Sequence, residues 1–263
     1  MKAIKLLYKR FRDHRLIDLA AQCAYYLLLS LFPFLIFSVT LLSYLPFTFQ
    51  DLYEFIKVDY IPPDVLAVVE DQWDVITGEH NTGLLSLGAV FTLWTASLAL
   101  NSILRSLNLS YHVTEMRSML LSRFMSILLT IGLLLVVVAA FVFQVIGDRF
   151  SEYLAFSIPL LDGAFFRWLL SFVILFVVFS VLYLIGPNIR LHVREVYIGA
   201  LFAAIGWHIT SLGFSFYLDN FANYSATYGT IGTVIALMVW FHASSLLILL
   251  GGEINAMIKE DDI

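Results

Sequence analysis

The chain has 263 residues, of which 60% are hydrophobic and 13% charged, and its mean hydropathy is +0.88; a soluble domain runs at about 45–50% apolar and about 25% charged. No soluble core of this length hides that much apolar surface, so lipid must cover it. The formal net charge of -5 argues against a nucleic-acid binder, and the single Cys23 excludes an internal disulfide and an all-cysteine metal site.

Residues 1–20 are basic, with Lys2, Lys5, Lys9, Arg10, Arg12 and Arg15. Ile4, Leu7, Tyr8 and Phe11 fall at i, i+3, i+4, i+7, which predicts a short helix lying in the membrane interface on anionic headgroups. The plainer reading is a positively charged anchor for the first span. No cleavable leader is read, because the basic stretch is long and the first apolar run, Ala24–Leu45, has the length of a retained span. Pro33 inside that run removes a backbone hydrogen bond and predicts a kink, either passive or a hinge.

Residues 46–82 form the longest polar segment. Asp51, Glu54, Asp59, Asp64, Glu70, Asp71, Asp74 and Glu79 stand against Lys57 alone. Pro62-Pro63 signals a helix start, and Val65, Val69, Trp73 and Ile76 repeat at helical spacing. A small acidic helical cap outside the membrane is expected, its charge a solvated face or a gatherer of cations.

The second span is Gly83–Leu107. Gly88, Thr92, Thr95, Ala99, Ser102 and Ser106 step by four and three, a small-residue seam of the kind that lets helix backbones approach in lipid. Beside it runs a second line, Trp94, Leu98, Asn101, Arg105 and Asn108, expected to face protein. The third span, Phe124–Ile146, and the fourth, Phe166–Ile185, are rich in Leu, Val and Phe and are expected at the periphery. Gly186-Pro187-Asn188 stops the fourth, and a basic connection with Arg190, His192 and Arg194 follows. The fifth, Val196–Leu218, carries Gly199, Ala203, Gly206, Thr210 and Gly213 at the same four-three spacing, with Trp207 and His208 beside them. After a polar loop, 219–227, comes the last span, Tyr228–Met257. It holds no Asp, Glu, Lys or Arg between Gly229 and Gly252, yet carries Trp240, His242 and, at its end, Glu253.

Six spans put both termini on one side. With the N-terminus inside, the inner segments hold twelve of the 15 Lys and Arg residues, which selects N-in, C-in. The expected organisation is a basic helix at 1–20, a six-span domain at 21–258 with the acidic insertion 46–82, and a cytoplasmic tail at 259–263.

The stretches YYLLLSLFPFL at 25–35, LWTASLALNSILRSLNLSYHVTEMR at 93–117, GALFAAIGW at 199–207 and YGTIGTVIALMVWFHASSLLILLGGEINA at 228–256 resemble the YihY/virulence factor BrkB family, once labelled ribonuclease BN. The resemblance covers about 20–258. It implies an all-α, six-span inner-membrane protein of bacteria, of a family described as transporters or envelope proteins and for which the nuclease label is regarded as a misassignment. It supplies no set of functional residues.

The chemistry must therefore be read from the residues. The acids sit mostly in the expected cap, the six His are scattered, and no G-x-S-x-G or P-loop occurs. An enzyme is not expected, nor a cofactor or a bound metal. Ionisable groups within spans usually face a bundle interior, so Asn101, His208 and His242, with Trp94 and Trp240, are the candidates for a substrate or ion pathway. The two His could carry a proton, or each could tie helices together by a hydrogen bond. Arg105 and Glu253, both at inner ends, are expected to pair as a gate or a static clamp, with Asn101, Asn108 and Asn255 satisfying spare valences; Arg105 could instead snorkel to headgroups. The function expected is export or translocation of a small solute or lipid, with proton coupling in reserve. A flippase-like lipid handler and a non-transporting scaffold are the alternatives. Anionic headgroups are candidate partners and a homo-oligomer is left open.

Overall fold

The computed structural model describes residues 2–42, 82–113, 120–133, 135, 164–221 and 225–261. Those residues form seven helices: α1 (Lys2–Asp13), α2 (Leu16–Leu42), α3 (Thr82–Ser110), α4 (Leu120–Leu133), α5 (Ala164–Ile185), α6 (Val193–Phe221) and α7 (Ser225–Asp261). Among the described residues there is no strand, as the all-α expectation requires. Five helices are long and apolar enough to cross a membrane, over Leu16–Phe34, Ser86–Ser110, Trp168–Ile185, Val193–Tyr217 and Val234–Glu260. Of the expected third span, residues 124–133 and 135 are described and 124–133 lie in the apolar helix α4; residues 134 and 136–146 lie outside the described residues. So does the acidic insertion, apart from Thr82, and with it the expected cap.

The chain divides into two compact units, one of Leu29–Ala96 and one of Met1–Leu28 with Ser97–Ile263. In the smaller unit, α2 continues as helix through Pro33. A Cβ on Gly88 would lie 3.1 Å from the backbone nitrogen of Phe37, so the missing side chain is what lets α2 and α3 approach there. Thr92 and Thr95 are buried, and their hydroxyls donate to the carbonyls of Gly88 and Phe91, each at 2.7 Å. Intrahelical bonding of this kind keeps a hydroxyl satisfied where no water reaches.

In the larger unit the core is built where small residues face each other. Ala200, Ala203 and Ala204 on α6 are fully buried. Gly199 sits so close to α7 that a Cβ would clash with the carbonyl of Gly251, and one on Gly206 would press on Leu247. Gly213, at the far end of the same stripe, has open space around it. The small-residue seam of α6 thus closes on α7 over its first half only. On α5, Tyr183 is fully enclosed and its hydroxyl donates to the Ile248 carbonyl at 2.6 Å. Absence of a side chain at Gly251 makes room for that hydroxyl. The α5 span is the least buried of the five, in line with a peripheral helix, but its Phe179, Leu182 and Tyr183 belong to the core.

The seam on α3 is buried at all six positions, from Gly88 to Ser106. The line beside it is not uniform. Asn108 is buried and Asn101 half-buried, whereas Trp94 and Arg105 are exposed, so the strip faces protein only where it ends in asparagine.

A buried charge cluster as the candidate functional site

Glu253 is 0% exposed inside the last span, and three groups answer its charge. His14 Nδ1–H donates to Oε1 at 2.5 Å, Ser110 Oγ–H donates to the same oxygen at 2.9 Å, and Arg10 Nη1 stands 3.5 Å from Oε2. Arg10 is itself only 7% exposed. Its Nη1 donates to the Ser110 carbonyl at 3.1 Å, and its Nη2 pairs with Glu260. A carboxylate taken out of water costs several kcal/mol unless it is paired and hydrogen-bonded; here each member supplies part of that compensation.

Three chain segments build the cluster. Arg10 and His14 lie one turn apart at the end of α1, on the side that also carries half-buried Leu7 and Phe11, while Ile4, Lys5, Tyr8, Lys9 and Arg12 are exposed. The apolar stripe expected to rest on lipid is therefore split: Phe11 packs on the protein core, and Ile4 and Tyr8 do not. The N-terminal helix is docked on the bundle through Arg10 and Phe11. Ser110 is the last residue of α3, whose orphan carbonyls carry partial negative charge; Arg10 caps that end. The chain then turns by a Schellman motif, with Val113 N–H on the Asn108 carbonyl at 2.9 Å and His112 N–H on that of Leu109 at 3.0 Å. His112 takes the left-handed position at φ 53°, and Arg15, after α1, does the same at φ 52°. Both places favour glycine, and strained non-glycine backbone tends to gather at functional sites. The turn brings the His112 ring edge-on to His14 at 5.8 Å and within 3.7 Å of Glu260. Tyr111 follows Ser110; burial first, then the charges of Glu195 and Glu253, push its hydroxyl well above the ordinary tyrosine range.

The pair expected between Arg105 and Glu253 does not form. Arg105 is exposed between buried Leu104 and Ser106, because a helix turns about 100° per residue and Ser106 and Ser110 hold the inner face. Arg10, far away in sequence, takes its place. The expected asparagine support is also spent elsewhere: Asn255 Oδ1 accepts from Gly199 N–H at 2.7 Å, and Asn108 Oδ1 from Asn188 N–H at 2.7 Å.

The other candidates do not converge on one lining. Asn101 accepts from Ser122 and Ser126 of α4, at 3.3 and 3.5 Å. His208 is buried; its Nδ1 lies 3.0 Å from the Ala204 carbonyl and its Nε2 3.0 Å from Ser171 Oγ on α5. The carbonyl fixes the proton on Nδ1, so Nε2 accepts from the serine. Trp168, Phe172 and Trp207 pack round the ring. His208 is a tie between α6 and α5, the plainer of its two readings. Trp240 donates to Ser211 Oγ at 3.4 Å and meets Trp207 edge-on. His242 is half-buried and Trp94 more than half exposed.

Sequence reasoning missed Arg10, His14, Ser110, His112 and Glu260. The available signal was weak: two groups one turn apart on the same side of a helix as Phe11.

Comparison with known proteins settles the family. The model for virulence factor BrkB matches residues 7–262. The chain belongs to that family. It is 44% identical to the ribonuclease-like protein YfkH of Bacillus subtilis (strain 168), covering 99% of this chain and 96% of YfkH. It is 29% identical to the UPF0761 membrane protein VSAL_I2938 of Aliivibrio salmonicida (strain LFI1238), over 97% of this chain and 83% of that one, and 28% identical to a UPF0761 membrane protein of Aeromonas salmonicida (strain A449), over 97% and 88%. No solved structure matches the chain. With five long apolar helices and membrane-protein relatives, this BrkB-family chain is a multi-pass membrane protein.

Proposed function

We propose that this BrkB-family protein is a non-enzymatic transporter that moves a small solute or a lipid across the bacterial cytoplasmic membrane, and that both its termini lie on the cytoplasmic side. The observation that carries the reading is Glu253: a carboxylate enclosed within a membrane span and compensated by Arg10 of α1 and His14 of the turn after it, both outside the spans. Ionisable groups kept inside a membrane mark substrate or ion paths. One compensated by a separable helix makes a gate, because the charge is neutral to the bundle only while the helix is docked. The excess of Lys and Arg on the inner segments supports the orientation, and the exposed Lys5, Lys9 and Arg12 of α1 suit anionic headgroups.

A lipid as the cargo is favoured by two apolar grooves on the larger unit. One, of about 320 Å³, is lined by Phe202, Ile205, Gly206, Ile209, Thr210 and Leu247. The other, of about 250 Å³, lies among Leu100, Leu129, Gly132, Leu133 and residues of α5. Both linings are almost wholly apolar, as acyl chain segments require.

The test is flux and lipid scrambling in proteoliposomes, comparing the wild type with Glu253→Gln and with His208→Ala. Expected is a large change in rate for Glu253→Gln and a smaller one for His208→Ala. Unchanged flux in Glu253→Gln, or no cargo moved by the wild type in any panel, overturns the reading.

A further inference from the structure

We infer that the enclosure formed by Glu253, Glu260 and the carboxyl end of α3 is a binding site for a small organic cation bearing a guanidinium or primary ammonium group, with Arg10 as its tethered occupant in this structure. The inference rests on the transport reading and names the substrate class of that site.

Charge comes first. The enclosure presents two carboxylates, Glu253 and Glu260, together with the carbonyl of Ser110 at the negative end of α3. Arg10 supplies one positive charge against them. The enclosure thus sets two carboxylates around one guanidinium.

Geometry points the same way. Glu253 Oε2 is enclosed and accepts no hydrogen bond among the described residues, although its residue is 0% exposed. Arg10 Nη1, which also donates to the Ser110 carbonyl, reaches it only to 3.5 Å. The guanidinium is held short of the carboxylate by the helix it hangs from. A free guanidinium or ammonium has no such tether and can close to hydrogen-bond distance. The buried Tyr111 hydroxyl is also without a hydrogen-bond partner among the described residues. The N–H directions already used, one to a carbonyl and one to a carboxylate, are those a planar fork serves and a spherical ion does not.

Arg10 is also a replaceable occupant. α1 lies outside the spans, leaves its far side exposed, and joins α2 through Arg15 in the left-handed region. Lifting it would strand Glu253 without a countercharge, which a cation entering the site would supply. Departure of α1 and entry of the ligand are therefore one exchange, and Arg10 and the ligand compete.

The experiment uses the full chain in phosphatidylcholine nanodiscs and radiolabelled agmatine, which carries both groups. Wild type is expected to bind saturably and weakly, and Arg10→Ala at least about tenfold more tightly, since the competitor is gone. Arg10→Ala/Glu253→Gln is expected to lose saturable binding, and tetramethylammonium, which has no N–H, not to compete. Should Arg10→Ala fail to fold, the wild type still decides: spin labels on α1 at Lys5→Cys and on α6 at Arg194→Cys are expected to move apart as agmatine is added. Discs with phosphatidylethanolamine separate the two sources of an amine. Suppressed agmatine binding there assigns the site to a lipid headgroup, and unchanged binding to a soluble cation. Equal affinity in wild type and folded Arg10→Ala, binding that survives Glu253→Gln, or labels that stay fixed overturns the assignment. Binding with no cation transported overturns the transport reading and leaves the site; lipid flux with no agmatine binding does the reverse.

Discussion

Gly199 and Gly213 stand on one small-residue stripe of α6, yet alanine at the two places should act in opposite directions. At Gly199 a Cβ would fall under 3.0 Å from the Gly251 carbonyl and 2.5 Å from both terminal atoms of Asn255. The first obstacle is backbone. The second is a side chain pinned by the Gly199 N–H at 2.7 Å. Neither yields alone, so α6 and α7 must part. Overpacking of this kind costs about 1–3 kcal/mol, and loss of the Asn255 bond about 0.5–1.5 kcal/mol more. The helical preference of alanine over glycine returns roughly 0.5–1 kcal/mol. The net loss for Gly199→Ala is about 1–3 kcal/mol. At Gly213 nothing lies within 4 Å of the added methyl group, and only the gain of about 0.5–1 kcal/mol remains. Thermal unfolding in detergent, followed by circular dichroism, reads the difference. At roughly 2–4 °C per kcal/mol, Gly199→Ala should melt about 2–12 °C lower than the wild type and Gly213→Ala no lower. A Gly199→Ala protein that melts with or above the wild type would refute the close α6–α7 contact.

The charge cluster gives a second stability test. Arg10→Ala strands a buried carboxylate and should cost about 3–5 kcal/mol. In a Glu253→Gln background the same change should cost less by about 1–3 kcal/mol, the coupling of groups in direct contact; additive losses in the double mutant would show that the two do not interact. Arg105→Ala, at the exposed position once expected to hold Glu253, should stay within about 0.5 kcal/mol of wild type, and a loss above 1 kcal/mol by the same melting assay would restore a structural role to that residue.

Periodicity made much of the fold legible. On α3 the residues from Gly88 to Ser106 were singled out because they repeat every three or four positions, and all six are buried. That pattern is local: helix geometry alone decides which residues share a side. The same rule fails one residue to the left. Arg105 was grouped with Asn101 and Asn108 as a strip facing protein, but small angular offsets along a helix are enough to leave Arg105 outside while Asn108 is enclosed. His208 shows a different limit. Its depth and its small-residue neighbours were readable, whereas its partner, Ser171, lies on a helix whose composition promised only lipid contact. Pairing across helices depends on which surfaces meet, and nothing in an apolar run records that.

Apolar run length, charge placement and small-residue spacing were enough to establish an all-α protein of the membrane, since a backbone surrounded by hydrocarbon must bond within itself and helices do so over contiguous residues. The countercharge of Glu253 was decided by tertiary structure alone. His14 and Glu253 are 239 residues apart, and Arg10 and Glu260 are 250. Six basic residues near the N-terminus were equally eligible by charge. Proximity chose among them, because a buried ion is stabilised by the one partner that the packing of α1 delivers to within hydrogen-bond reach.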